Sequence, residues 1–235
     1  MKKIVGGMPI ANRLLAALPR ADRERMRTML EPVTLNFGDV LCEPGDPIRH
    51  VYFPNDSLVS LLTPVDRQHL LEVGLVGFEG MVGTALALGI AVTPVRALVQ
   101  GAGSATRMGA ATFRKEFQQS LRLQREVHLY IHALMSQVAQ TAACNRFHNV
   151  ESRLARWLLM TRDRVGSNHF RLTQEFLGFM LGVRRVGVTH AAQALKRRKL
   201  IDYSRGYLSI LNERGLESAS CSCYEVVKPR KRANP

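Results

Sequence analysis

The chain has 235 residues, is 46% hydrophobic and 22% charged, and carries a formal charge of +14. That composition excludes a disordered polymer, and no apolar run reaches the roughly eighteen residues a bilayer crossing needs. Residues 146–235 hold 18 Lys/Arg against 7 Asp/Glu (net +11), whereas residues 1–145 hold 15 against 12 (net +3), so one half is built to meet a polyanion. The basic residues are not set against a Trp/Phe-rich helical face, which argues for nucleic acid rather than a membrane surface. Cys42, Cys144, Cys221 and Cys223 give no disulfide framework and point to free thiols in a cytoplasmic protein. The start, MKKIVGGMPIANRLLAALPR, is broken by Gly6-Gly7 and Pro9 and reads as a weak signal-peptide candidate at best.

Residues 10–30 predict short helical pieces, with Leu14, Leu15, Leu18, Met26, Met29 and Leu30 at helical spacings. From Pro32 the period changes. Short apolar runs (33–37, 40–42, 50–53, 58–62, 70–73 and 95–100) are separated by FGD, EPGDP, PND, GFEG and QGAG, whose residues suit turns. Strands at that spacing predict a small antiparallel barrel or roll over residues 1–110, after the N-terminal helices.

Residues 111–147 contain no Gly or Pro and predict one long helix. Val127, Ile131, Leu134 and Val138 step by four, three and four, the spacing of a dimer seam, although packing along the chain's own β domain would use the same residues. Residues 150–165 form a further helix with Leu154, Trp157, Leu158 and Thr161 on one face, ended by GSNHF. The boundary between the two halves falls at 145–149.

Residues 172–195, LTQEFLGFMLGVRRVGVTHAAQAL, meet the demands of a helix-turn-helix in one register. Thr173 caps the first helix with Gln174 and Glu175 in its first turn, Gly178 permits a close crossing, and Gly182 tolerates a positive φ in the turn. Leu177, Leu181, Val183, Val188 and Ala191/Ala192 fall at the buried positions. The second helix, 184–198, then offers Arg184, Arg185, Gly187, Val188, Thr189 and His190 to a major groove, arginine being suited to the O6/N7 edge of guanine. Lys196 and its basic neighbours lie three turns on, toward phosphates. LIDYSRGYLSIL, with Arg205 at its turn, predicts a β-hairpin wing, so residues 148–220 read as a winged helix-turn-helix and 221–235 as a basic tail.

The order β-roll, long helix, winged helix-turn-helix resembles the Crp/Fnr superfamily of bacterial transcription regulators across residues 12–215. The resemblance rests on FGDVLCEPGDP…VYFPNDSLVSLL, on NVESRLARWLL and on the helix-turn-helix. It implies an α+β chain with a cyclic-nucleotide-binding-like roll, a dimerisation helix and a DNA-binding domain. It further implies double-stranded DNA, a second copy of the chain, RNA polymerase and a small effector as partners. The effector pocket would involve Phe78, Glu79, Gly80, Met81, Arg96 and Val138. Three departures count against the family's usual ligands. Arg96 is followed by Ala rather than Ser and is displaced by about one position. The Thr-Ser pair that receives the adenine base falls at Val138-Ala139. Before residue 144 only Cys42 occurs, so no iron–sulfur cluster of the N-terminal cysteine type is expected, and the cofactor is otherwise open. The family's recognition-helix positions Arg, Glu and Arg fall at Arg185, Val186 and His190. Losing the Glu removes an acceptor for cytosine N4, so the target should depart from TGTGA-like or TTGAT-like half-sites.

Other clusters carry blander readings. Cys221-Ser-Cys223 cannot complete a zinc site alone, no His is near in sequence, and an exposed tail with incidental cysteines is expected, with no metal. KPRKR (228–232) reads as a solvated tail. His128 and His132 read as surface histidines, and His50 and His69 are too sparse for a metal enzyme. No nucleophile–base arrangement is apparent, so an enzyme is not expected. The rival to a DNA regulator is a ligand-binding adaptor or enzyme whose winged helix contacts protein.

Overall fold

The computed structural model describes residues 11–66, 69–204 and 206–228. Two short helices come first, α1 (Arg13–Ala16) and α2 (Arg20–Arg27). Asn12 caps α1 by accepting from the Leu15 amide, while its Nδ2 donates 2.8 Å bonds to the Pro54 and Gly80 carbonyls. The helix start is thereby fixed to the roll.

The roll comprises β1 (Glu31–Leu35), β2 (Val40–Cys42), β3 (His50–Pro54), β4 (Leu58–Pro64), β5 (Leu70–Val76), β6 (Arg96–Gly101) and β7 (Gly103–Gly109). They form antiparallel sheets in the orders β1-β7-β3 and β2-β6-β4-β5. Val51, Phe53, Val59, Val76, Met81, Val99 and Met108 fill the space between them. Two details differ from expectation. Strand β5 runs on through Gly74 to Val76, and β7 is an additional strand, central to its sheet.

The long helix is two helices. Ser120 interrupts it with an extended conformation (φ −113°, ψ 101°) between α3 (Ala110–Gln119) and α4 (Leu121–Phe147), and its side chain accepts from the Leu123 amide. Leu123, Val127, Tyr130, Leu134, Gln137, Thr141 and Cys144 form a row stepping by three and four that faces the chain's own body. The predicted seam is corrected accordingly: Val127 is fully buried in the roll core, Ile131 and Leu134 pack against it, and only Val138 is exposed. A second row on the opposite face, Leu121, Arg125, His128, His132, Met135, Ala139, Ala142 and Arg146, is exposed throughout.

The C-terminal half contains α5 (Val150–Val165), β8 (His169–Arg171), α6 (Gln174–Leu181), α7 (Arg185–Arg197), β9 (Ile201–Ser204), β10 (Tyr207–Ile210), α8 (Glu213–Ala219) and α9 (Cys223–Val227). The wing is a three-stranded sheet in the order β8-β10-β9, with β8 arising from the stretch expected only to break a helix. Helix α5 is buried nearly all round because it lies between the winged helix and the roll. The exposed tail is also a correction: Cys221, Cys223, Tyr224 and Val227 are buried, and the Tyr224 hydroxyl donates to Asp163 Oδ2 at 2.7 Å. Residues 229–232 of KPRKR lie outside the described residues. No helix among the described residues is long and apolar enough to cross a membrane.

Candidate nucleic-acid interface

The helix-turn-helix forms where the sequence places it. Thr173 Oγ1 accepts from the Phe176 amide at 3.2 Å and caps α6. Gly182 ends that helix in the left-handed region (φ 59°, ψ 40°), which a side chain would disfavour, and the Val183 amide returns to the Gly178 carbonyl at 3.1 Å. A Cβ on Gly178 would stand 3.2 Å from the Val183 carbonyl oxygen, so the small residue is what lets the turn close this tightly. Leu177, Leu181, Val188, Ala191, Ala192 and Leu195 are buried beneath the turn, with Val183 partly so.

That packing fixes which side of α7 faces outward. Arg184 stands at the N-cap position without a side-chain capping bond, and Arg185, Val186 (64% exposed), His190, Gln193 and Arg197 lie on the exposed face. Gly187 and Thr189 lie at its edge, Thr189 Oγ1 donating to the Arg185 carbonyl at 3.0 Å. Val188 is corrected: it is wholly buried and supports the turn instead of facing outward. Lys196 is exposed but pairs with Asp202 of the wing at 2.7 Å. Arg205 and the Gln174 side chain lie outside the described residues. Gln193 is an exposed position that the sequence reading does not single out, whereas Arg197 is one of the basic neighbours of Lys196 expected to face phosphates. The signal for Gln193 is that it follows Val186 by seven residues, opposite the buried row of Val188, Ala191 and Leu195.

The predicted effector residues are not brought together. Arg96 turns away to Glu43, with Nη2 2.6 Å from Oε1. Val138 lies on the exposed flank of α4, and Met81 is buried in the roll core. The Arg13 guanidinium stacks 4.9 Å over the Phe78 ring. Glu79 Oε1 instead accepts from Arg164 Nε of α5 at 2.7 Å, in a pair whose arginine side chain is only 2% exposed. A Cβ on Gly80 would stand 2.0 Å from the Tyr130 ring, so this glycine exists to let α4 close over the turn. Tyr130 and Arg164 thus occupy the region that the resemblance assigns to a ligand.

The roll and the winged helix share a further contact. Trp157 Nε1 donates to Glu72 Oε1 at 2.8 Å, and Ser60 Oγ stands 2.6 Å from Glu72 Oε2 and in hydrogen-bond contact with Gln100 Oε1. One hydroxyl proton cannot serve both acceptors, whereas a protonated Glu72 can donate to Ser60 and leave Ser60 to donate to Gln100. Burial pushes this carboxyl up to about 7, against the lowering effects of the Ser60 and Trp157 bonds and the Arg156 and Arg164 charges. Phe37 packs on Phe176 at 5.7 Å between ring centroids, and Leu71 reaches the Gly182 turn. The helix-turn-helix is therefore docked on the β4–β5 edge of the roll.

Residues 152–219 match the family model of the Crp-like helix-turn-helix domain. The chain carries a Crp-like domain. Its whole fold is that of the Crp/Fnr transcription regulators. It is similar to a Crp/Fnr-family regulator from Eubacterium rectale (16% identity, TM-score 0.68, covering 88% of this chain and 97% of that one). It is also similar to the c-di-GMP-responsive global regulator CLP of Xanthomonas campestris (17% identity, TM-score 0.67, 82% and 99%). FixK2 from Bradyrhizobium japonicum shares the fold at 12% identity (TM-score 0.68, 82% and 98%). No curated protein matches the chain in sequence. Within the Crp-like domain, α6 and α7 are the helix-turn-helix and the β8-β10-β9 sheet is the wing.

Proposed function

We propose that this chain is a homodimeric, sequence-specific transcription regulator of Crp/Fnr type, working on cytoplasmic DNA through the outer face of α7. The observation that carries the reading is the exposed set Arg184, Arg185, Val186, His190, Gln193 and Arg197 on the second helix of a Crp-like domain. Arg185 takes a guanine edge, Val186 and Thr189 sit against thymine methyls, and Arg197 reaches phosphates.

The pairing surface is the outer row of α4. Leu121, Met135, Ala139 and Ala142 supply an apolar seam with small residues at its C-terminal end, and its spacing of three and four suits a parallel coiled coil. Two copies would then present their α7 helices to half-sites about 34 Å apart. The chain does not respond to cyclic AMP: Tyr130 and the Glu79–Arg164 pair fill the phosphate-binding turn, and Arg96 is committed to Glu43. An effector would act by favouring release of the docked helix-turn-helix from the β4–β5 edge, which requires different affinity for the two arrangements.

The test is selection of bound sequences from a random DNA pool with purified ligand-free protein. The reading predicts a two-fold symmetric motif with guanine in each half, its guanine preference relaxed in Arg185→Ala. No enrichment, both alone and in cell extract that supplies effectors, would overturn it in favour of a winged helix used on protein.

A further inference from the structure

Three thiols and one imidazole meet where α4 ends. Cys144 lies in the last turn of α4 and His148 caps that helix, while Cys221 and Cys223 come from the segment after the winged helix. Cys144 Sγ is 3.5 Å from Cys221 Sγ, and Cys223 Sγ is 3.5 Å from His148 Nδ1. All four ligand atoms lie within 4.8 Å of one another, and the three cysteines are buried. A tetrahedral zinc with bonds of about 2.3 Å to sulfur and about 2.0 Å to nitrogen sets its ligands roughly 3.5–3.8 Å apart. The Cys144–Cys221 and Cys223–His148 separations are near that spacing, and the remaining ones, up to 4.8 Å, require the side chains to close in by at most about 1 Å.

We propose that Cys144, His148, Cys221 and Cys223 form a Cys3His site for Zn(II). A dication held by three thiolates and a neutral imidazole carries one net negative charge, and its surroundings suit that charge. Arg156 is buried, acts electrostatically on both Cys144 and Cys221, and leaves Nε and Nη1 without a hydrogen-bond partner. A buried guanidinium with unpaired nitrogens is costly unless an anion faces it. Gln140 Nε2 donates to Cys223 Sγ at 2.9 Å, the outer-sphere bond a metal-bound thiolate accepts. With all four positions supplied by protein, the site is closed, of the structural kind. Binding displaces three thiol protons to solvent and forms three Zn–S bonds and one Zn–N bond, with no change of oxidation state. The ion would clamp the C-terminal segment onto the junction between α4 and α5, so its occupancy bears on how the winged helix is held.

The site is tested without DNA, and its failure would leave the DNA reading untouched. The full chain, reduced and kept under anaerobic conditions, is titrated with Co(II) and then with Zn(II). The expected result is one Co(II) per chain with tetrahedral ligand-field bands and thiolate-to-cobalt charge transfer, displaced by Zn(II) and unchanged in Cys42→Ser. Cys223→Ser and His148→Ala should lose the tetrahedral spectrum. Gln140→Leu keeps all four ligands and should weaken binding by about 10- to 100-fold. Circular dichroism checks the folding of each variant; should Cys223→Ser or His148→Ala fail to fold, Gln140→Leu and the spectrum of the unaltered chain decide. Absence of uptake by the reduced chain, an octahedral cobalt spectrum, or a Cys144–Cys221 disulfide formed in preference to metal binding would overturn the proposal.

Discussion

Lys199 is the described non-glycine residue with a positive φ (54°), directly after the last turn of α7. Its amide bonds the Lys196 carbonyl at 2.9 Å, so the left-handed turn that starts the wing depends on this strained position. Lys199→Gly should therefore raise stability by up to about 1 kcal/mol, read as an increase in Tm. A lower Tm would mean that the lysine side chain holds the turn. At Val186 the change is in specificity. The Crp-type resemblance places a glutamate there that accepts from cytosine N4, so Val186→Glu should add a cytosine preference worth about 1–3 kcal/mol at one base pair of each half-site. An unchanged motif in repeated sequence selection would place Val186 away from the bases.

Helix α4 separates two interactions on its opposite faces. Met135 stands outside (66% exposed) and Val127 inside (0%). Met135→Glu should give folded monomers in sedimentation at concentrations where the unaltered chain is dimeric, whereas Val127→Glu should unfold the roll by burying a charge. A Met135→Glu chain that stays dimeric would move the interface off α4. The contrast also shows how far one sequence could be read. Periodicity revealed the helix, but both faces carry residues stepping by three and four, and only the roll lying against one of them decides which is inner. The helix-turn-helix was legible because its constraints are local: Thr173, Gly178, Gly182 and the buried row all act within about twenty residues. Strand β7 was missed because GSATRMG has little alternating apolar character, its place being set by β1 and β3 on either side. The break at Ser120 had a local signal, a capping serine before Leu121, which the absence of Gly and Pro obscured. Cys144 and Cys221 lie 77 residues apart, and no local spacing could bring them together.

At the scale of the molecule, Glu72 is a buried carboxyl at the contact between the roll and the winged helix. Its carboxyl is raised from an ordinary 4.5 to about 7 by burial. Between those values the folded state holds a proton that the unfolded chain has released, so the contribution of Glu72 to stability is fully present below about 4.5 and is lost as pH rises through about 7. The shift caps this loss at roughly 3 kcal/mol, less where undocking relieves it. Glu72→Gln keeps a hydrogen-bonding side chain between Ser60 and Trp157 and should abolish that part of the pH slope, measured as Tm between pH 5 and pH 8; a slope identical to that of the unaltered chain would remove Glu72 from the account. Sequence reading by this chain rests on α7. Its most direct test is the affinity of the unaltered chain and of Arg185→Ala for the selected palindrome and for random DNA, followed as salt is raised. A palindrome preference of about 10³-fold or more is expected, cut by about 1–3 kcal/mol per half-site in Arg185→Ala, with both proteins keeping a steep salt dependence of order 0.9 per phosphate contacted. Equal affinity for palindrome and random DNA, or a preference untouched by Arg185→Ala, would contradict it.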